Sequence, residues 1–113
     1  MIQLKTKSDN AVLDKSKAFA VRIVKLCRFL EKKKEYVLSR QLLKCGTSVG
    51  ANVREAICAQ SKKDFIAKLS IALKESFETE YWLELLHETG SLTDEQFHDI
   101  YSDAKELLKL LMA

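Results

Sequence analysis

The chain of 113 residues carries a net charge of +3 at pH 7, has three glycines and no proline, and is 47% hydrophobic. This length fits one domain, residues 1–113, and excludes a second domain of ordinary size. The scarcity of helix-breaking residues and the apolar spacing of three and four residues predict an all-α fold. No run of eighteen apolar residues and no signal-peptide pattern occur, so we expect a soluble, cytoplasmic protein that does not bind a membrane.

The two parts of the chain differ strongly in charge. Residues 1–74 hold 17 basic and 6 acidic side chains, a balance of +11, whereas residues 75–113 hold 2 basic and 10 acidic ones, a balance of −8. A chain with charges separated in this way attracts an anionic partner at one end or packs head to tail with copies of itself. The sequence is compatible with both uses.

The first helix is predicted at about residues 10–34, with Asp9 as its N-cap. Its apolar positions follow steps of four and three residues, the spacing of a bundle helix that packs at a shallow angle on its neighbours. The opposite side, which we name the basic face, carries Lys15, Lys17, Arg22, Lys25, Arg28 and Lys32. Such side chains usually keep a helix soluble, but their clustering also favours binding to nucleic-acid phosphates without sequence specificity.

The second helix is predicted at about residues 38–59. Its apolar side is bordered by a polar stripe of Gln41, Ser48, Asn52 and Glu55, which fall within about 60° of one another. A buried polar group without a partner costs roughly 1 to 3 kcal/mol, so these side chains need partners on another helix or subunit. Together with Glu78 of the third helix, we expect them to form a structural polar network or a subunit interface.

Gly46 and Gly50 lie on the other flank of the second helix, four residues apart. Each costs up to about 1 kcal/mol relative to alanine in a helix interior. Because glycine has no side chain, the pair would let another helix approach the second helix closely.

The third helix is predicted at about residues 62–89. Ser61 and Asp64 match a capping box at its start, and Gly90 suits the left-handed conformation that follows a helix end. This helix has two apolar stripes on largely opposite sides, although a bundle helix needs only one. The second stripe consists of Ala67, Ile71, Trp82 and Leu85. On a monomer it would be exposed, which predicts contact with neighbouring subunits.

The fourth helix is predicted at about residues 94–112, after a capping box formed by Thr93 and Gln96. Four helices of this length with short connections predict an antiparallel up-down-up-down four-helix bundle.

The three cysteines, Cys27, Cys45 and Cys58, form no Cys-x-x-Cys pair and lie among apolar neighbours. We therefore expect them to be small core residues in a reducing compartment.

Helices two and three carry a resemblance to a known family. Its pattern is Gln41-Leu42, then Ser48, then Asn52-Val53-Arg54-Glu55, and then Ser61-Lys62-Lys63-Asp64-Phe65. Between Leu38 and Leu86 the chain resembles the four-helix-bundle proteins of 23S ribosomal RNA intervening sequences. The resemblance implies a homopentameric ring without a known catalytic activity.

The same resemblance suggests partners. Relatives of that family include the accessory variability proteins of diversity-generating retroelements, which are basic pentamers that bind nucleic acid and the reverse transcriptase. It implies a homo-oligomeric scaffold or adaptor whose basic surface contacts RNA, DNA or a nucleic-acid enzyme such as a reverse transcriptase. The alternative is a purely protein-binding assembly factor that acts through the acidic fourth helix and has no affinity for nucleic acid.

The sequence gives only weak support for a metal site or for an enzyme active site. Glu84-x-x-His87 and Glu95-x-x-His98 have the spacing of di-iron motifs in helix bundles. Glu95 and His98, however, point away from the apolar side of their helix, so we expect no metal site and no cofactor. Catalysis needs a nucleophile and a base, or paired carboxylates, converging in a pocket. The sequence does not indicate such a set, and we expect no catalytic residue.

Overall fold

The computed structural model describes residues 7–113 and confirms the all-α fold. Its helices are α1 (Lys7–Lys32), α2 (Tyr36–Ile57), α3 (Lys62–Glu88) and α4 (Asp94–Met112). The described residues contain no strand. The predicted domain of residues 1–113 includes residues 1–6, which lie outside the described part. No helix in that part is both long enough and apolar enough to cross a bilayer.

The helices run antiparallel to their neighbours around the bundle. Lys15 on α1 pairs with Glu106 on α4, and seven residues further along α1, Arg22 pairs with Asp99, seven residues earlier on α4. Contacts join α1 to α2, α2 to α3, α3 to α4 and α4 to α1, while within residues 7–113 the backbones of diagonal helices do not approach closely. This is the up-down-up-down topology, in a body of 45 × 23 × 18 Å.

The core forms where the predicted apolar stripes meet. Its fully buried large side chains include Ile23, Leu30, Leu42, Leu83 and Leu107, which come from all four helices. Burying an aliphatic side chain of this size contributes about 1.5 to 3 kcal/mol, so these contacts dominate the stability of the bundle. The core determines the positions of the polar side chains at the helix edges.

Two helix starts and one helix end follow the sequence signals. Thr93 and Gln96 form a full capping box, in which each side chain accepts a hydrogen bond from the other's backbone N–H. The Ser61 hydroxyl accepts from the backbone N–H of Asp64 at 3.0 Å, but the predicted return bond is absent. Gly90 has φ +84° after α3, as expected.

The predicted N-cap at Asp9 is wrong. The backbone is already helical at Lys7, so Asp9 lies inside α1. The polar turn predicted around residues 33–36 is present between α1 and α2, and within it Lys34 adopts a positive φ of 65° without being glycine. Non-glycine residues rarely adopt this conformation, so sequence pattern alone does not predict it.

The two glycines of α2 allow α1 of the same chain to approach. A Cβ atom built at Gly46 would lie 2.9 Å from Cγ2 of Ile23. A Cβ atom at Gly50 would lie 3.1 Å from the carbonyl oxygen of Ser16. The helix whose approach the glycines permit is therefore α1.

Candidate interaction surfaces

The basic face of α1 is divided between two edges of the bundle. On the α4 side, the Arg22 guanidinium donates to Asp103 and also to Asp99 at 2.6 Å, and Lys15 pairs with Glu106 at 2.5 Å. Burial lowers the pKa of Arg22, but its hydrogen bonds to Asp103 and Asp99 outweigh that effect and raise the pKa overall. Two of the six predicted binding cations thus hold α1 against α4.

The other four cations of the basic face make no ion pair with any described residue. They are Lys17, Lys25, Arg28 and Lys32, and all are exposed. Lys25 borders a depression between α1 and α4 that Arg22 and Asp99 also line. Lys17 lies on the α2 side, where it faces Arg54 across a groove.

Three cations of α2 extend this positive surface, although the sequence reasoning did not assign them to it. Arg40, Lys44 and Arg54 are exposed, and none is in an ion pair with a described residue. Their helical spacing places them on the outer side of α2, opposite the buried residues. We name the set of Lys17, Arg28, Arg40, Lys44 and Arg54 the α1–α2 cationic surface. This surface could have been identified from the sequence, because two consecutive helices both carry positive charge on their outer sides.

The polar stripe of α2 faces the α3 edge but is not one connected network. The Asn52 side-chain amide donates to the carbonyl oxygen of Ser48 at 2.9 Å and to its hydroxyl at 3.0 Å. Glu55 forms the one ion pair that links the stripe to α3, with Lys68 at 3.1 Å. Gln41 is exposed and makes no side-chain hydrogen bond with the described residues.

Glu78 is separate from the polar stripe. Its carboxylate accepts a hydrogen bond from the indole N–H of Trp82, one turn along α3, at 3.2 Å. Trp82 itself is partly buried against the core. Within one chain, Glu78 therefore orients the indole ring, and no side-chain bond joins it to α2 among the described residues.

Helix α3 exposes apolar side chains along two edges. On the α2 side, Ile71 of the predicted second stripe is 41% exposed. On the α4 side, Ile66, Phe77 and Tyr81 are 52%, 49% and 56% exposed. This second set was missed by the sequence analysis, although its steps of eleven and four residues are a helical signal.

The seam between α3 and α4 contains a buried acid. Glu80 is almost fully buried, its Oε2 atom has no hydrogen-bond partner in the described part of the chain, and its Oε1 atom accepts from Lys105 at 3.5 Å. One turn further on, the Tyr101 hydroxyl donates to Glu84 at 2.5 Å. Burial raises the pKa of Tyr101, and the hydrogen bond to Glu84 raises it further.

The residues of the two Glu-x-x-His motifs have other partners. Glu84 accepts from Tyr101, and His87 lies 2.6 Å from the Asp94 carboxylate. Glu95 and His98 are both exposed. Among the described residues, no group of three or more His, Cys, Asp or Glu side chains is arranged to hold a metal ion.

The three cysteines have different environments. Cys27 and Cys45 are buried, as predicted, whereas Cys58 at the end of α2 is exposed, so the prediction is wrong for that residue. Burial raises the pKa of the Cys45 thiol to about 11. Burial also raises the pKa of Cys27. Neither buried thiol is suited to act as a nucleophile at neutral pH.

Comparison with known proteins agrees with this geometry. A solved structure of a protein of unknown function from the S23 ribosomal protein family of Bacteroides thetaiotaomicron is 58% identical. The similarity covers 93% of this chain and 95% of that one, with a TM-score of 0.91. No curated protein matches the chain. The family model for the 23S rRNA-intervening sequence protein matches residues 8–113, and the chain therefore belongs to that family.

Proposed function

We propose that the protein is a non-enzymatic, homo-oligomeric scaffold that binds nucleic acid through its α1–α2 cationic surface. The observation that carries the proposal is the exposure of large apolar side chains on two edges of α3, those of Ile66, Ile71, Phe77 and Tyr81. Clustered exposed apolar side chains on a soluble protein mark interaction sites. A second copy of the chain is the simplest partner because it is always present.

The two exposed edges of α3 differ in chemistry, which favours a ring. Ile71 lies between Lys68 and Glu75, beside the polar stripe, whereas Phe77 and Tyr81 lie on the side of Glu84 and α4. Contact between unlike surfaces is heterologous, and copies joined in this way close into a ring when the rotation permits. The family resemblance implies five copies. In such a ring, Asn52 and Glu55 would lie at or beside the subunit contact.

The proposed nucleic-acid contact uses the cations left unpaired by α4. The α1–α2 cationic surface has five exposed cations, and from residue 11 onward the exposed acids of the same two helices that lack an ion pair with a described residue are Asp14 and Glu31. Contacts from lysine and arginine to phosphates release counterions, so the affinity should fall steeply with salt. A ring repeats the surface in every subunit, which converts weak contacts into avidity.

Solution mass tests the assembly. Light scattering of the intact protein is expected to give a multiple of the 12.9 kDa protomer. Phe77→Asp should lower that mass, because a carboxylate would be buried at the contact. Val37→Asp is the matched control, since Val37 is 70% exposed but lies on α2. A wild-type protein that remains a protomer at micromolar concentration would reject the scaffold.

Fluorescence anisotropy with a labelled 20-nucleotide RNA tests the proposed binding of nucleic acid. We expect binding at about 50 mM salt that weakens at least tenfold by about 200 mM. The double variant Arg28→Glu, Lys44→Glu should lose most of the affinity for this RNA. The control Lys109→Glu, which removes an exposed cation of α4, should retain that affinity. An absence of binding at the lower salt would reject this contact and leave the purely protein-binding alternative.

The ion pairs of α4 also bear on the protein-binding alternative. A purely protein-binding assembly factor would use the acidity of α4, but Asp99, Asp103 and Glu106 are all paired with α1. Fewer free carboxylates therefore remain for an external basic partner than the sequence predicts. The same pairing leaves the α1–α2 cationic surface as the larger unneutralised region, which supports the nucleic-acid reading.

A further inference from the structure

A groove runs between α1 and α2 on the outer side of their glycine contact. It has a volume of about 280 Å³, close to the lower limit of about 300 Å³ for small-molecule pockets. Leu13, Ser16, Lys17 and Ala20 line it from α1, and Thr47, Gly50, Ala51 and Arg54 line it from α2. The groove exists because these residues are mostly small, so the closely packed backbones leave a depression above them.

The available hydrogen-bond donors of the groove are cationic. The Ser16 hydroxyl donates to the carbonyl oxygen of Leu13, and the Thr47 hydroxyl donates to that of Leu43 at 2.6 Å. Both protons are thus used within their own helices. Lys17 and Arg54 remain, and neither forms an ion pair with a described residue. A ligand for this groove therefore has an anionic group beside an apolar or planar body.

We propose that the groove holds one unpaired nucleotide of a single-stranded nucleic acid, with its phosphate on Lys17 and its base against Ala20, Ala51 and the Arg54 guanidinium. This inference rests on the proposed function and names the form of nucleic acid that is bound. Bases in a duplex are stacked inside, so a duplex reaches only the surface charges. Unstacked bases of a single strand can enter a groove and stack on an arginine plane.

The location of the groove supports this ligand over an acidic peptide. Arg28, Arg40 and Lys44 continue the positive charge along the same two helices, which suits a chain with a repeated phosphate. A peptide with one carboxylate would use only the two cations at the rim. Arg54, the arginine that lines the groove, also provides a planar group that lysine does not.

Three variants separate the contribution of the groove from that of the surrounding charge. Ala51→Phe fills the groove from an exposed position, and Ala18→Phe adds the same bulk at an exposed position of α1 that does not line it. Arg54→Lys retains the positive charge but removes the planar guanidinium group. All three leave the buried core unchanged, and circular dichroism with light scattering would verify the fold and the assembly.

The experiment compares an unstructured 20-nucleotide RNA with a duplex of the same sequence at about 50 mM salt. We expect the wild type and Ala18→Phe to bind the single strand at least fivefold more tightly than the duplex. Ala51→Phe and Arg54→Lys should lower the affinity for the single strand at least fivefold more than the affinity for the duplex, so that the preference is lost. Equal affinity of the wild type for both forms, or a preference that survives Ala51→Phe, would overturn the groove assignment and leave the proposed nucleic-acid contact intact.

Two other outcomes are decisive. If neither RNA binds at this salt concentration, both the proposed contact and the groove assignment fail. If a peptide with leucine flanked by glutamates displaces the single strand from the wild type but not from Ala51→Phe, the groove is a protein-docking site. That result would overturn the nucleotide assignment.

Discussion

Gly46 of α2 is packed so closely against Ile23 of α1 that even one methyl group at Gly46 would overlap the Ile23 side chain. The Cβ atom would approach Cγ2 to 2.9 Å, and Ile23 is fully buried. Overpacking in a core costs about 1 to 3 kcal/mol, against about 1 kcal/mol gained in helix propensity. We predict that Gly46→Ala lowers the free energy of unfolding in urea by up to about 2 kcal/mol.

A double-mutant cycle checks the cause of that loss. Ile23→Ala removes both γ carbons and is destabilising by itself, because it leaves a cavity. In that background, Gly46→Ala should be neutral or stabilising, since the overlap is gone and alanine is the better helix former. If Gly46→Ala costs the same in both backgrounds, the Ile23 contact is not the reason for the glycine.

The ion pairs between α1 and α4 give a second prediction. This helix pair makes the least extensive contact of the four, and Arg22 bridges it to two carboxylates. Arg22→Met retains much of the apolar stem but removes both pairs. We expect a loss of about 1 kcal/mol in the free energy of unfolding at low salt, and a smaller loss in 1 M sodium chloride, because partly exposed pairs are screened.

Lys25→Met is the control for Arg22. It removes the same charge from a position three residues later that has no ion pair among the described residues. The expected change is within about 0.5 kcal/mol. Measurements at matched protein concentration keep any effect of assembly constant. Equal losses in the two variants would show that net charge, and not the bridge to α4, determines the effect.

The division of the basic face shows where sequence reasoning reaches its limit. Clustering along the sequence joins Lys15 and Lys17 in one basic face, although a helical period of 100° per residue separates the two side chains by about 160°. The structure places them on opposite edges, with Lys15 bound to Glu106 and Lys17 beside the α1–α2 groove. A helical pattern gives the angle from the core, but the neighbour at each edge depends on the handedness of the bundle.

The boundaries of α3 and α4 were more predictable than those of α1 and α2, because they carry local capping signals. Thr93 and Gln96 satisfy each other's backbone groups whatever the rest of the fold does. The exposed set on α3 was predictable in principle from its spacing. Ile66 and Phe77 are separated by the same eleven-residue step as Ile71 and Trp82, so the two sets give equally strong helical signals.

Cysteine reactivity provides a third prediction. Cys58 is exposed, whereas Cys27 and Cys45 are buried and the pKa of Cys45 is raised to about 11. In native protein at pH 8, an aromatic disulfide reagent should therefore titrate one thiol per chain quickly, and it should titrate all three after denaturation. Cys58→Ser should remove the fast phase. A fast phase of two or three thiols in the native protein would contradict the described burial.

The Asp94 carboxylate at the start of α4 gives a prediction on pH. Its hydrogen bond with His87, followed by the charge of His87, lowers the pKa of Asp94 from its ordinary value of 3.8. The folded state therefore binds this proton less readily than the unfolded state. The stabilisation is fully present above the ordinary pKa and is lost as the pH falls through the lowered value.

Asp94→Asn should consequently lower the melting temperature at about pH 5, and the difference from wild type should shrink as the pH falls below 3.8. Glu95→Gln is the control, because it removes a charge from the same first turn without touching His87. It reports the interaction with the helix dipole alone, which both substitutions share. The contribution of the His87 pair is the excess loss in Asp94→Asn. An excess that stays constant down to about pH 2 would show that hydrogen bonding to the neutral side chain, and not the ionised carboxylate, stabilises this end of α4.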